Sequence, residues 1–273
     1  MMARDINLHL TLLNSEAIDA LNERLHYDVD IFIEIDTGGH RTGIPYSNTK
    51  EIRQLKEKIS ESPKLHMEGL LTHAGHTYQA KSRKEILNIH EETKESLMGV
   101  KEKIREKDEE MLISTGDTPS CTLADHFEGI GEIRPGNFVF YDLQQYKLGI
   151  CSPEEIAVCL ACPAVAKYEE RNEIVVHGGA VHFSKDSFRE EDQSIFGYGV
   201  ILNNKGWSIP KEKIILAKLS QEHGTLHVNP GIMEKINIGD FIGVLPVHSC
   251  LTADVMGSST EVVSGQHHNH MPK

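Results

Sequence analysis

No apolar run in the 273 residues reaches the length of a membrane span or a signal-peptide core, and the opening "MMARDINLHLTLL" is no exception. The chain as given is therefore expected in the cytoplasm. Basic residues are scarce beside acidic ones, 28 against 41, and the formal net charge of −13 disfavours a nucleic-acid backbone or an anionic membrane as partner. Small molecules remain, including an anion held in a local basic pocket. The five cysteines, at 121, 151, 159, 162 and 250, are odd in number and form no regular framework, which suits a reducing compartment. The single C-x-x-C pair, Cys159 and Cys162, falls inside the strand-like run "IAVCLACPAV" with no second pair, and reads as buried thiols. There is no internal repeat, and the one biased tract is the His-rich end "GQHHNHMPK", a chelating accident or a frayed end.

What is present is an ordinary globular composition, 39% hydrophobic and 25% charged, with enough apolar residues for a sizeable core and a length that suits two domains. The first half alternates strand and helix. "INLHLTLL" predicts a strand, "NSEAIDALNERL" a helix capped by Asn or Ser, and "DVDIFIEIDTG" a strand ending in glycine. Val29, Ile31, Ile33 and Ile35 share one face of that strand, while Phe32, Glu34 and Asp36 share the other, as in a barrel strand beside an active site. A helix near 47–60 leads to the strand "LHMEGLLTHAGH". Then comes a long charged helix with Ile86, Ile89, Leu97, Val100 and Ile104 in one stripe, followed by the strands "EMLISTGDTPS" and "GEIRPGNFVFYD". From about residue 147 the segments become short and β-rich. The expected organisation is a partial (β/α)8 TIM-type barrel over 1–146 and an all-β domain over 147–273. Five barrel strands are counted where a closed (β/α) barrel needs eight, so the sheet is open or the chain begins three strands late.

Four constellations could carry chemistry. "ISTGDTPSCT" sets Ser114, Thr115, Gly116, Thr118 and Ser120 after an apolar strand, where backbone N–H groups could close round a phosphate. A plain turn explains it equally, and Asp117 must point away for the phosphate to fit. "DTGGHRTGI" ends another strand with Arg41 at its rim, to meet a ligand oxygen or to pair with Asp36 or Glu34. "LLTHAGHTY" brings His73, His76 and Tyr78 to the same end of the sheet. In "VLPVHSCLTAD", His248 and Cys250 lie two apart on what reads as a strand end, so both point to one side. Two ligands suit a catalytic metal with open positions better than a four-ligand structural one, the bland alternative being a buried strand end with a free thiol.

The ordered set "DTGGHRTGI", "LTHAGHTY", "STGDTPSC", "EIRPGNFVFYDLQQ", "QEHG" and "PVHSC" resembles the metal-activated D-serine dehydratase and D-threonine aldolase family of alanine-racemase fold. The resemblance covers nearly the whole chain. It implies a barrel of the alanine racemase N-terminal type followed by a β domain, a homodimer, pyridoxal 5'-phosphate as cofactor and a small β-hydroxy D-amino acid as substrate. It places Ser114, Thr115, Gly116 and Thr118 toward the cofactor phosphate, with Tyr78 and Tyr141 nearby and Arg41 and His73 around the ring. It makes His248 and Cys250 ligands of a divalent metal. His-x-Cys resembles the dehydratase form, where the aldolases more often carry aspartate second, and this favours Zn²⁺.

In the family a Schiff-base lysine sits near the end of the first barrel strand, in a Pro-His-x-Lys-Thr-His-Lys type motif that is absent here. Lys218 is embedded in an apolar strand of the other domain. No catalytic residue is assigned with certainty, and a chain truncated at its N-terminus is the expectation. Two other classes compete: a non-catalytic remnant that binds a phosphorylated small molecule or a partner chain, and a metal-dependent hydrolase using His73, His76, His248 and Cys250, disfavoured because no His-x-His follows an early strand. Within the enzyme class, dehydration, aldol cleavage and racemisation are not separated by local sequence.

Overall fold

The computed structural model describes residues 6–203 and 206–257. The His-rich tail lies outside the described residues. The chain forms two compact units, residues 1–136 and 137–273.

In the first unit the alternation runs β1 (His9–Leu12), α1 (Ser15–Arg24), β2 (Val29–Asp36), β3 (Ile44–Pro45), α2 (Thr49–Ser60), β4 (Leu65–Thr72), α3 (Arg83–Ile104), β5 (Leu112–Thr115), α4 (Thr118–Leu123) and β6 (Glu132–Ile133). The strands pair in parallel in the order β1-β2-β4-β5-β6, with β3 on β2, so the expected five-strand count is met and the short β3 is added. Among the described residues this sheet is open, with β1 and β6 at its edges. The helices begin where side chains can satisfy orphan N–H groups. Asn14 accepts from Ala17 N at 2.9 Å, Asn48 from Glu51 N and Ser82 from Glu85 N.

The face of β2 read as apolar packs on the helices: Val29, Ile31, Ile33 and Ile35 join Ile18, Ile52, Leu55, Ile59, Leu97, Val100 and Ile104 in one core. Each fully buried aliphatic side chain there contributes about 1.5–3 kcal/mol. Two details differ from the reading. In α3 the buried stripe runs Ile86, His90, Thr93, Leu97, Val100, Ile104, leaving Ile89 half-buried, because the true period of 3.6 carries the stripe onto two polar residues. The fifth strand is only two residues long, since Arg134 enters a Pro-Gly turn and 137–139 form a 3₁₀ turn.

The second unit contains α5 (Leu143–Lys147), β7 (Leu160–Tyr168), β8 (Glu173–His177), α6 (Ala180–Phe183), β9 (Phe188–Glu190), β10 (Gln193–Ile195), β11 (Gly197–Asn203), β12 (Gly206–Ser208), β13 (Ile214–Leu219), β14 (His223–His227), α7 (Pro230–Met233), β15 (Phe241–Pro246) and α8 (Ser249–Val255). Antiparallel pairing runs β11-β13-β14-β8-β7-β15, and β15 pairs back onto β11, closing the strands into a barrel. Closure removes the free edges that the sequence pattern alone leaves undefined. Cys162, Ala164, Ile174, Val176, Ile214, Leu216, Leu226 and Val244 fill one core of this unit. Cys159 and Cys162 are unlinked thiols, as read, and burial pushes both up to about 12.

Two apolar stretches of the β-rich part leave the sheet early. "NEIVVHGGAVHF" leaves it at His177 and turns into α6. "VLPVHSC" leaves it at Pro246: His248 caps α8, so His248 and Cys250 stand at the start of a helix and not on one face of a strand. Asp142 accepts the Ser249 N–H at 3.3 Å, and Thr252 Oγ1 donates to His248 O at 3.2 Å, so the helical turn satisfies groups that an extended chain would leave open. Lys218 is not embedded. It projects outward from β13 and pairs with Glu173 at 2.9 Å.

Candidate functional site

The C-terminal ends of β2, β4 and β5 gather the predicted residues of the first unit. Asp36, the last residue of β2, closes the glycine turn by accepting from Gly38 N at 2.9 Å and His40 N at 3.1 Å, and it meets His40 Nδ1 at 3.0 Å. Burial raises its carboxyl, but the two N–H donors and the imidazole together outweigh burial and hold it below its ordinary value. Glu34 accepts from Thr42 Oγ1 at 2.6 Å. Both carboxylates that could have paired with Arg41 are thus engaged elsewhere, and Arg41 is left exposed.

After β4, His73 Nδ1 donates to Gly116 O at 2.5 Å, which leaves Nε2 as the acceptor nitrogen. Its ring lies 6.4 Å from that of Tyr78, tilted by 39°, and the Tyr78 hydroxyl is 3.5 Å from Thr118 N. His73, Tyr78 and the Gly116–Thr118 turn therefore form one contact set. His76 stands against Gly38 and Gly39 with Nδ1 buried and unpartnered; burial holds it below the ordinary imidazole value, against the pull of Asp117 and Asp36.

The Ser/Thr/Gly turn is built differently from the way it reads. Asp117 folds back onto the turn: its carboxylate is buried, capping α4 through Ser120 N at 2.8 Å, bonding Ser120 Oγ, and accepting from Thr77 Oγ1 at 2.8 Å, so the Ser120 N–H is already taken. Ser114 Oγ donates to Glu132 and accepts from Arg134 Nε at 2.8 Å, so its one O–H is spent inside the sheet. Gly116 is required by the backbone, since a Cβ there would lie 2.6 Å from Arg134 O. Thr115 ends β5 and pairs with Thr72 and Ile133.

The other predicted residues belong to the second unit. Tyr141 has φ +47°, donates its N–H to Asn137 O at 2.8 Å and packs against the apolar cluster that includes Leu143 and Ile156. His248 Nδ1 lies 2.6 Å from Asp186 Oδ2, which leaves Nε2 for another partner. Cys250 Sγ donates to Asn137 Oδ1 at 3.4 Å, and Asn137 Nδ2 in turn donates to Asp142 Oδ2 at 2.5 Å. Burial, then the charge of Asp142, raises the Cys250 thiol. Asp142 is itself raised by burial, which outweighs the N–H donors of Gln145, Asn137 and Ser249. Asn137, Asp142 and Asp186 were not singled out from the sequence. The first two sit inside "EIRPGNFVFYDLQQ", whereas nothing local marks Asp186 of "HFSKD".

The donor set fits a divalent ion of borderline softness: one free imidazole nitrogen and one sulfur, separated by a single residue at a helix start. Among the described residues no group of three or more His, Cys, Asp or Glu side chains is arranged to hold a metal, so the multi-ligand cluster needed by a metal-dependent hydrolase is not found there. No helix among them is long and apolar enough to cross a membrane.

A parallel α/β unit followed along the chain by a closed β-barrel defines the alanine-racemase-like class. Residues 1–144 match the family described as "Alanine racemase, N-terminal domain", and residues 157–262 match "Putative serine dehydratase domain". The chain belongs to the alanine racemase N-terminal domain family. It is 29% identical over 255 residues to a D-serine dehydratase of Dictyostelium discoideum, covering 90% of this chain and 63% of that one. It is 26% identical over 244 residues to D-threo-3-hydroxyaspartate dehydratase of Delftia sp. strain HT23, covering 87% and 63%. The solved Delftia enzyme superposes with a TM-score of 0.82 at 25% identity over 93% of this chain and 69% of its own, and a variant of it has been solved in a metal-free form. D-threonine aldolase of Filomicrobium marinum shares the fold, with a TM-score of 0.76 at 18% identity over 94% of this chain and 66% of its own. The chain spans 63% of the length of these two curated relatives.

Proposed function

We propose that this chain carries the cofactor-phosphate turn and the metal ligands of a pyridoxal-phosphate-dependent lyase acting on β-hydroxy D-amino acids, with dehydration as its reaction. The observation that carries the reading is the His248–Cys250 pair at the start of α8, with His248 Nε2 left over by the Nδ1 contact to Asp186 and the Cys250 sulfur held by Asn137. Dehydration of a β-hydroxy amino acid must expel a poor leaving group, and a divalent cation on that oxygen makes it a better one. Zn²⁺ suits the nitrogen and sulfur donors. The first unit is read as part of a (β/α)8 barrel, the assembly as a homodimer and the location as cytoplasmic.

His73, Tyr78 and the Thr115–Thr118 backbone would hold a flat, phosphate-bearing ring, with exposed Arg41 reaching an anionic oxygen. The orphaned Nδ1 of His76 beside them is consistent with a polar ligand at this end of the sheet. When bound, pyridoxal phosphate supplies the electron sink that lets a bond at the amino acid's α-carbon break. Ser114 is left out of the cup, because its one O–H is already donated to Glu132.

Among the described residues none of the six strands of the parallel sheet carries a lysine, and a non-catalytic chain that binds a phosphorylated small molecule stands as the second reading. Racemisation remains the alternative within the enzyme class. Free pyridoxal phosphate reacts with amino acids unaided, so an assay with cofactor and Zn²⁺ supplied does not depend on a resident lysine. Pyruvate and ammonia from D-serine, absent with L-serine and lost in Cys250→Ala, support dehydration. Glycine and acetaldehyde from D-threonine would turn the reading to aldol cleavage, and no product from either D-amino acid would favour the non-catalytic chain.

A further inference from the structure

His248 presents Nε2 only if Nδ1 is committed, and the partner of Nδ1 comes from 62 residues earlier. The segment that brings it is built with care. In α6, Gly179 N donates to His182 Nδ1 at 3.1 Å, and the His182 ring packs edge-on against His177 at 5.1 Å. A Cβ on Gly179 would lie 2.5 Å from His223 N and from the Glu222 carbonyl carbon, so the turn that starts α6 is seated tightly on the β13–β14 hairpin. The helix ends at Ser184 with φ +72°, a conformation costly for a residue with a side chain, and Ser184 Oγ accepts the Asp186 N–H at 3.2 Å. That turn delivers Asp186 Oδ2 to His248 Nδ1 at 2.6 Å, while α6 packs on α8, the helix that bears Cys250.

The structure assigns to Asp186 the role of positioning residue for His248: its carboxylate accepts the Nδ1–H, fixes the ring's tautomer and rotation, and makes Nε2 the nitrogen offered to a divalent cation. The assignment rests on the metal-site reading of His248 and Cys250 made above. A carboxylate behind a ligating imidazole raises its basicity as well as orienting it, and loss of such a partner costs about 10–100-fold in metal affinity. Nearly half of the Asp186 side chain is exposed, and its short contact with His248 is made even so. An exposed carboxylate serving only as a surface partner would gain little from a strained turn that aims it.

The test uses the full chain with Co²⁺ as a spectroscopic probe, followed by Zn²⁺ competition. Wild type should give a thiolate-to-cobalt charge-transfer band that Cys250→Ala abolishes. Asp186→Asn and Asp186→Ala should keep the band at saturation but bind about 10–100-fold more weakly, with Asp186→Glu recovering part of the loss. Without metal, ¹⁵N spectra of the His248 ring should show Nδ1 protonated in wild type and a mixture of tautomers in Asp186→Ala, a change that a merely structural role for the loop would not produce. Wild-type affinity and an unchanged ring spectrum in both Asp186→Asn and Asp186→Ala would overturn the assignment while leaving the metal site standing. A wild-type chain with no thiolate band would overturn the metal reading, and this assignment with it.

Discussion

Asp142 accepts the N–H of Ser249 at 3.3 Å, and so ties α8 to a residue 107 positions earlier in the chain. The same carboxylate takes Gln145 N at 2.9 Å and Asn137 Nδ2 at 2.5 Å, and Asn137 in turn receives the Cys250 thiol. Asp142→Ala would strip three donors of one buried acceptor. Leaving a buried donor unpaired costs about 1–3 kcal/mol, so the variant should lose at least that much stability in urea melts. A midpoint unchanged from wild type would show that the anchor is dispensable.

The ion pairs around Glu173 predict a pH dependence. Lys218 Nζ at 2.9 Å and Arg171 Nε at 2.8 Å hold the Glu173 carboxyl down to about 2. Because the folded value lies below the unfolded one, the stabilisation is fully present above the ordinary glutamate range and is lost as pH falls toward 2. Thermal melts of wild type and Glu173→Gln should therefore differ at pH 6 and converge near pH 2. A difference that grows on acidification would contradict the assignment.

Gly116 should tolerate no side chain. An added Cβ meets Arg134 O at 2.6 Å, and overpacking of this kind costs roughly 1–3 kcal/mol. Gly116→Ala is expected to lower the melting temperature and weaken cofactor binding together, because Gly116 lies in the turn that is read as the cup and that turn must shift away from Arg134. Weakened binding at unchanged stability would mean that the glycine is kept for the ligand and not for the sheet.

Burial pushes the thiols of Cys151, Cys159 and Cys162 up to about 12. At pH 8 these three should react slowly with a disulfide reagent in the native chain, and all five should react after denaturation. Rapid native labelling of Cys159 or Cys162, mapped by mass spectrometry, would show that the β7 end of the barrel opens.

The strands and helices of the first unit were legible because burial there obeys simple periods. Val29, Ile31, Ile33 and Ile35 could point only to the helices, and the cap at Asn14 announced the first helix. The closure of the second unit was not legible, since the β11–β15 pairing joins strands far apart in sequence. The helix at His248 was hidden for a related reason: its first turn is satisfied by Asp142, which lies 107 residues from Ser249. Ser114 illustrates the same limit at the candidate site. Its hydroxyl resembles a phosphate donor in sequence, and only the fold brings Glu132 and Arg134 to occupy it.

The measurement that tests the account most directly is a titration of the purified chain with pyridoxal phosphate, followed by absorbance, with borohydride reduction and peptide mapping of the product. The account predicts saturable binding, competed by inorganic phosphate and weakened in Tyr78→Ala and Gly116→Ala. Absence of saturable binding, or binding indifferent to both substitutions, would contradict the cofactor cup at the ends of β4 and β5.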